Sequence, residues 1–366
     1  MRLPSIELLT NALASPASLV PLRPAQWDLL IRQARGADLL ARIASGYQVL
    51  GMTDQIPSQP RMHLESAAKL AHRQHREIQW EVIQIGDALA PTGVNFVLLK
   101  GAAYVTSGLH AAAGRTMSDV DILVARGDIA AVETALMMKG WMSEAKSAYD
   151  QRYYRTWMHE LPPMRHFKRG TVIDVHHAIL PITARLHPSS DKLMAAASSF
   201  EPGGQMKVLA PLDMLLHSAT HLFHEGELER GFRGLVDIDA LLREFGVGDR
   251  FWDRLVPRAL ELELSRPLFY ALRYAGSMLG TPIPPAVTEA IANTTGGRRS
   301  GPMLALMDAL FLRALRPFHS TCEDAFTPLA RGLLYLRGHW LRMPPVLLLI
   351  HLLRKAVTSD KKVAQT

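Results

Sequence analysis

Along this chain the spacing of apolar residues changes character twice. Up to about residue 92 it is helical, as in AQWDLLIRQARGADLLARIASGYQVL and LESAAKLAHRQHREIQWEVIQIGDALAPTG, the second run stopping at Pro91 and Gly93. From 93 to about 180 the runs shorten and alternate. VNFVLLK and SDVDILVA read as buried strands, and GAAYVTSGLHAA as a helix. DIAAVETALMMKG reads as a second helix, opened by Asp128 and closed by Gly140. MRHFKRGTVIDVHHAI reads as a hairpin turning at Lys168-Arg169-Gly170. Beyond about 181 helical spacing returns in LDMLLHSATHLFHEG, GLVDIDALLREFG and RPLFYALRYAGSMLG, each ended by glycine. The pattern predicts an α+β protein with a small mixed-sheet core over 93–180, between helical segments at 1–92 and 181–366.

Two aspartates interrupt the second strand. In SDVDILV, Asp119, Asp121 and Leu123 share one face while Val120, Ile122 and Val124 share the other. Carboxylates two positions apart on a strand lie about 6.5 to 7 Å from each other along the chain. Such a pair either caps a turn in solvent or shares a cation, because unscreened carboxylates push one another toward protonation. Hard divalent ions such as Mg²⁺ take oxygen ligands of this kind. A third aspartate, Asp174 in TVIDVHH, shares a face with His176. If its strand lies beside the first, Asp174 meets the pair across one strand spacing of about 4.8 Å. Three convergent carboxylates can hold two metal ions about 3.5 to 4 Å apart. The similar-looking LVDIDALL is different: helical spacing of its leucines points Asp237 and Asp239 about 200° apart.

A phosphate side is suggested by Lys100-Gly101, which ends one strand and starts a helix. Glycine allows close backbone approach, a helix N-terminus offers free N–H groups, and Lys100 adds a charge. Gly114, Arg115 and Ser118 precede the carboxylate strand, so Arg115 is placed to meet a phosphate near the metals. Together LLKG, GRTMSDVDILV and VIDVHHAI resemble the polymerase-β-like nucleotidyltransferase superfamily, whose pattern is strand, Gly-containing turn, helix, D-x-D strand and a later Asp. Within it they are similar to the largely uncharacterised bacterial nucleotidyltransferase family 5, some members of which are associated with exopolysaccharide systems. The resemblance implies Mg²⁺-dependent transfer of a nucleoside monophosphate from an NTP to an acceptor, with two ions and Mn²⁺ as a substitute. Asp119, Asp121 and Asp174 would take the metal positions, and Lys100, Gly101, Arg115 and Ser118 the nucleotide side. The superfamily has Gly-Ser or Gly-Gly in the turn and a shorter gap to D-x-D. This chain has Lys-Gly-Ala and 18 positions from Gly101 to Asp119.

Composition narrows the partners. The 366 residues carry a net charge of +7, which favours anionic partners without choosing among nucleotides, nucleic acid and a membrane surface. One cysteine, Cys322, excludes a disulfide framework and a Cys-based zinc site, and fits a reducing cytoplasm. The N-terminus lacks the apolar core of a signal peptide, and MPPVLLLIHLL is shorter than the roughly 20 residues that span a bilayer. The basic, apolar tail from Ala330 reads as a packing helix or a membrane-surface or protein-docking segment. No RNA-binding module is recognisable, so an RNA-modifying transferase is a lesser reading. A catalytically silent nucleotide-binding scaffold of a polysaccharide-assembly system is the other.

Further candidates are ambiguous. His217, His221 and His224 recur at i, i+4 and i+7, a face that lines a cleft or is solvated, and that lacks the acidic or Cys partner of a zinc site. His176 either orients a carboxylate or is structural. Asp237 reads as a helix-surface aspartate. YYRTWMHELPPMRHFKR interleaves aromatic and basic side chains, as an acceptor loop or as packing.

Overall fold

The N-terminal helices are α1 (Glu7–Ala14), α2 (Pro24–Gly36), α3 (Leu40–Val49) and α4 (Ser58–Leu89) in a computed structural model that describes residues 6–19, 21–145, 147–224, 226, 228–294 and 301–344. The stretch AQWDL…QVL is two helices because Asp38 between them takes a left-handed φ of 58°. Its carboxylate accepts a hydrogen bond from Thr116 Oγ1 at 2.7 Å, tying this turn to the approach of the carboxylate strand. As expected from Pro91 and Gly93, α4 runs out in a 3₁₀ turn at Ala90–Thr92, and Gly93 follows at φ 72°. Trp27, Leu30, Ile43, Tyr47 and Leu64 form a small core here, which Phe232, Val236 and Cys322 join from far along the chain.

The α/β portion contains β1 (Phe96–Leu98), α5 (Lys100–Thr106), β2 (Asp119–Val124), α6 (Ile129–Met138), β3 (Trp141–Ser143), α7 (Ala148–Trp157), β4 (Met164–His166) and β5 (Val172–His176). Asp128 stands at the N-cap of α6, as its position suggested, but makes no side-chain capping bond. The hairpin around Lys168-Arg169-Gly170 joins β4 to β5, which pair antiparallel. After α8 (Ser190–Ala196), two further strands, β6 (Ser198–Ser199) and β7 (Met206–Val208), extend the sheet. The order is β3-β4-β5-β2-β1-β7-β6. The β2–β5 and β1–β7 pairs are parallel and the rest antiparallel, so the sheet is mixed and draws strands from beyond residue 180.

Helices α9 (Pro211–His224), α10 (Gly231–Phe245), α11 (Asp249–Glu261), α12 (Ser265–Leu279), α13 (Pro285–Thr294), α14 (Pro302–Ala314) and α15 (Thr327–Arg342) complete the α+β fold. One apolar cluster runs from Ile85 of α4 through Val97, Ile122 and Val175 of the sheet to Leu215, Ile238 and Phe311. The C-terminal helices therefore share the sheet's core. The described part of the basic tail packs: Arg337 Nη1 donates to Phe223 O at 2.9 Å and its guanidinium lies over Tyr270 and Phe311. Residues 345–366, with most of MPPVLLLIHLL, lie outside the described residues. Among those described, no helix is long and apolar enough to cross a membrane.

Candidate active site

Parallel pairing of β2 with β5 places Asp121 opposite Asp174 in register, with Asp119 opposite Val172. The three aspartates thus share one face of two adjacent strands, while Val120, Ile122, Ile173 and Val175 are buried in the core. Asp119 is exposed at the strand's start, Asp121 is buried and Asp174 is half-buried. Among the described residues, the only three potential metal-ligating side chains with ligand atoms all within 4.8 Å are His159, Glu160 and His176. The aspartates therefore line one face without closing into a single shell, since like charges separate and Asp119 has solvent available.

The carboxyls of Asp121 and Asp174 are pushed in opposite directions. Burial, followed by the charges of Asp121 and Glu160, raises Asp174 to about 7, and its Oδ1 is buried without a hydrogen-bond partner. Burial acts the same way on Asp121, but there the Lys100 ammonium and His176 prevail and hold it well below the usual carboxylate range. Lys100 Nζ donates to Asp121 Oδ1 at 3.0 Å, and His176 Nε2 lies 3.0 Å from the same oxygen. His176 thus contacts the carboxylate strand directly, as one of the two sequence readings has it.

The glycine of the Lys-Gly turn has a packing reason of its own. A Cβ on Gly101 would collide with the Arg115 guanidinium and come within 2.9 Å of the Met117 sulfur. Gly101, Ala102 and Ala103 are buried within the seven-residue α5, while Lys100 at its start is half-buried. Lys100 adopts φ 45°, a left-handed conformation that costs a residue with a Cβ about 1–2 kcal/mol. Arg115 is largely buried and committed: its Nε donates to Asp237 Oδ2 at 2.8 Å. Asp237 is accordingly buried at 5 % exposure, and the surface position read from its helix is corrected by this partner and by Arg42 at 3.4 Å. Ser118 is exposed, next to Asp119 in the chain.

Between α5 and the helices α9 and α10 lies a cleft of about 90 Å³, lined by Lys100, Arg115, His221, Arg230, Arg233 and Asp237. The histidine face of α9 turns inward. His217 is buried, and burial first and the Lys100 charge second keep both His217 and His221 far below ordinary histidine basicity. His224 is directed elsewhere, lowered to about 4 by burial and by Arg337. Sequence reading missed the Lys100–Asp121 and Arg115–Asp237 pairs, because each joins residues 21 or more positions apart without any periodic signal.

A mixed sheet thus carries an Asp-x-Asp strand in register with a third aspartate, and a cleft lined by Lys100, Arg230 and Arg233 lies nearby. The family described as "uncharacterised nucleotidyltransferase" matches residues 23–280, and the chain belongs to it. The matched region begins beside α2 and ends at Gly280, which closes α12, so the family unit takes in helices on both sides of the sheet. No curated protein matches the chain.

Proposed function

We propose that this protein transfers a nucleoside monophosphate from an NTP to a hydroxyl or phosphate acceptor, with Mg²⁺ held by Asp119, Asp121 and Asp174. The observation that carries this reading is the in-register pairing of Asp121 with Asp174, whose Oδ1 is left without a partner. A face with adjacent carboxylates and a buried, orphaned oxygen suits a hard cation better than it suits the protein alone. When bound, two such ions (Mn²⁺ can replace Mg²⁺) would supply charge neutralisation for the attacking oxygen and the departing pyrophosphate.

The chain's own part is positioning. A cleft of about 90 Å³ is well below the several hundred Å³ that enclose a whole drug-sized ligand, so it suits phosphate groups and leaves base and ribose outside. Arg230, Lys100 (paired with Asp121) and Arg233 (paired with Asp38) line it, while Arg115, braced by Asp237, forms the wall. Ser118, exposed next to Asp119, is the remaining nucleotide-side candidate. The acceptor oxygen bonds to the α-phosphorus as the bond to the β-phosphate breaks. Pyrophosphate leaves, and the acceptor's proton passes to solvent. The association of some members of the resembled family with exopolysaccharide systems makes sugar phosphates the first acceptors to try, and the lone Cys322, buried and free, suits a cytoplasmic setting.

Purified protein with Mg²⁺, each NTP in turn and a panel of sugar phosphates should release pyrophosphate. Asp119→Asn and Asp121→Asn should each cut that release about 100-fold or more, the scale of losing a group that stabilises transition-state charge. Nucleotide binding without turnover on any acceptor would defeat the enzyme reading and leave a silent nucleotide-binding protein.

A further inference from the structure

Residues 159–161 run antiparallel along the end of β5. Leu161 N donates to Val175 O at 2.9 Å, His177 N donates to His159 O at 2.8 Å, and Glu160 is the bridge partner of His176. Pro162 and Pro163 separate this segment from β4 with a one-residue slip in register between Glu160↔His176 and Met164↔Ile173. The slip leaves His159, Glu160 and His176 with ligand atoms within 4.8 Å of one another, on backbone fixed by the ladder.

Three observations point to a cation among them. Glu160 Oε2 lies 3.3 Å from His176 Nδ1. That exceeds the ~2.7–2.9 Å of a charge-assisted hydrogen bond. It matches the edge of about 3.3–3.4 Å of a tetrahedron whose ligands sit ~2.0–2.1 Å from zinc. His159 is 7 % exposed, and its Nδ1 is buried with no hydrogen-bond partner. His176 is already oriented: with Nε2 against Asp121 Oδ1 at 3.0 Å, a proton on Nε2 leaves the Nδ1 lone pair facing Glu160. A carboxylate behind a ligating histidine is the usual outer support of a metal site.

We propose that His159, Glu160 and His176 bind a borderline divalent ion of the Zn²⁺ type, with Asp121 as the outer partner of His176 and water in the fourth position. Two imidazoles and a carboxylate suit zinc, whereas Mg²⁺ selects an all-oxygen shell. The site uses none of the free oxygens of Asp119 or Asp174, and it stands whether or not nucleotidyl transfer does. Its ion clamps the segment before β4 onto β5 and fixes the His176 ring against Asp121.

The test uses the full chain, stripped of metal and titrated with Co²⁺, whose visible absorption reports tetrahedral binding, followed by competition with Zn²⁺. One equivalent of Co²⁺ should develop the absorption, and Zn²⁺ should abolish it. His159→Ala and Glu160→Gln should each weaken Zn²⁺ binding at least tenfold, and Asp119→Asn should leave it unchanged. Glu160→Gln is nearly isosteric and decides the matter if the buried His159→Ala variant does not fold. Absence of the absorption in the wild type, or equal binding by Glu160→Gln, overturns the proposal. So does loss of binding in Asp119→Asn alone, which would put the ion among the aspartates.

Discussion

Asp174 and Lys100 each hold a conformation or charge state that the rest of the fold imposes on them. The carboxyl of Asp174 is raised to about 7, so between its ordinary value and pH 7 the folded protein holds a proton that the unfolded chain releases. Stability in the absence of metal should therefore fall as pH rises from about 4 to 7, and Asp174→Asn should flatten that fall. His176 is raised above its ordinary value, burial being outweighed by Asp121 and Glu160, so its contribution also wanes as pH climbs past about 6.5. The difference between wild-type and Asp174→Asn urea midpoints from pH 4.5 to 8 is accordingly the readout. A constant difference would refute the raised carboxyl. At Lys100, with φ 45°, Lys100→Gly should be more stable than Lys100→Ala by about 1 kcal/mol, because only glycine takes that φ without steric cost. Equal midpoints for the two variants would mean the turn relaxes.

Among elements, the junction of α5, the loop before β2 and α10 is held by one buried ion pair and one missing side chain. Gly101→Ala drives a methyl into Arg115 and Met117 and should cost about 1–3 kcal/mol, as overpacking does. Asp237→Ala leaves the Arg115 guanidinium buried without its carboxylate and should cost more, about 3–5 kcal/mol. Urea unfolding of both variants checks the order; a milder effect from Asp237→Ala would show that solvent reaches Arg115. Periodicity identified α5 and α10 as helices but was silent on this junction. The residues that make it sit at helix starts and in a loop, where no face is repeated.

At the scale of the molecule, the sheet and the C-terminal helices share one core, and β7 pairs with β1 from more than a hundred positions away. Residues 93–180 expressed alone would lack β7, α4 and the C-terminal helices that share its core. That fragment should show no cooperative urea transition and poor amide dispersion by NMR, whereas the full chain should unfold cooperatively. A well-folded fragment would mean that the local α/β contacts suffice. The family match points the same way, since it spans helices on both sides of the sheet.

Sequence by itself determined the alternation of elements, the faces of β2 and β5, and hence which aspartates look out of the core. Period-two and period-3.6 burial are local properties of the chain. Tertiary structure decided the rest. The register set Asp121 against Asp174, and burial together with Lys100 and His176 pushed the two carboxyls in opposite directions. A carboxylate on a neighbouring helix turned Arg115 from a free charge into a brace. Each of these depends on distance and desolvation between residues far apart in the chain, and neither quantity is written in the order of the residues.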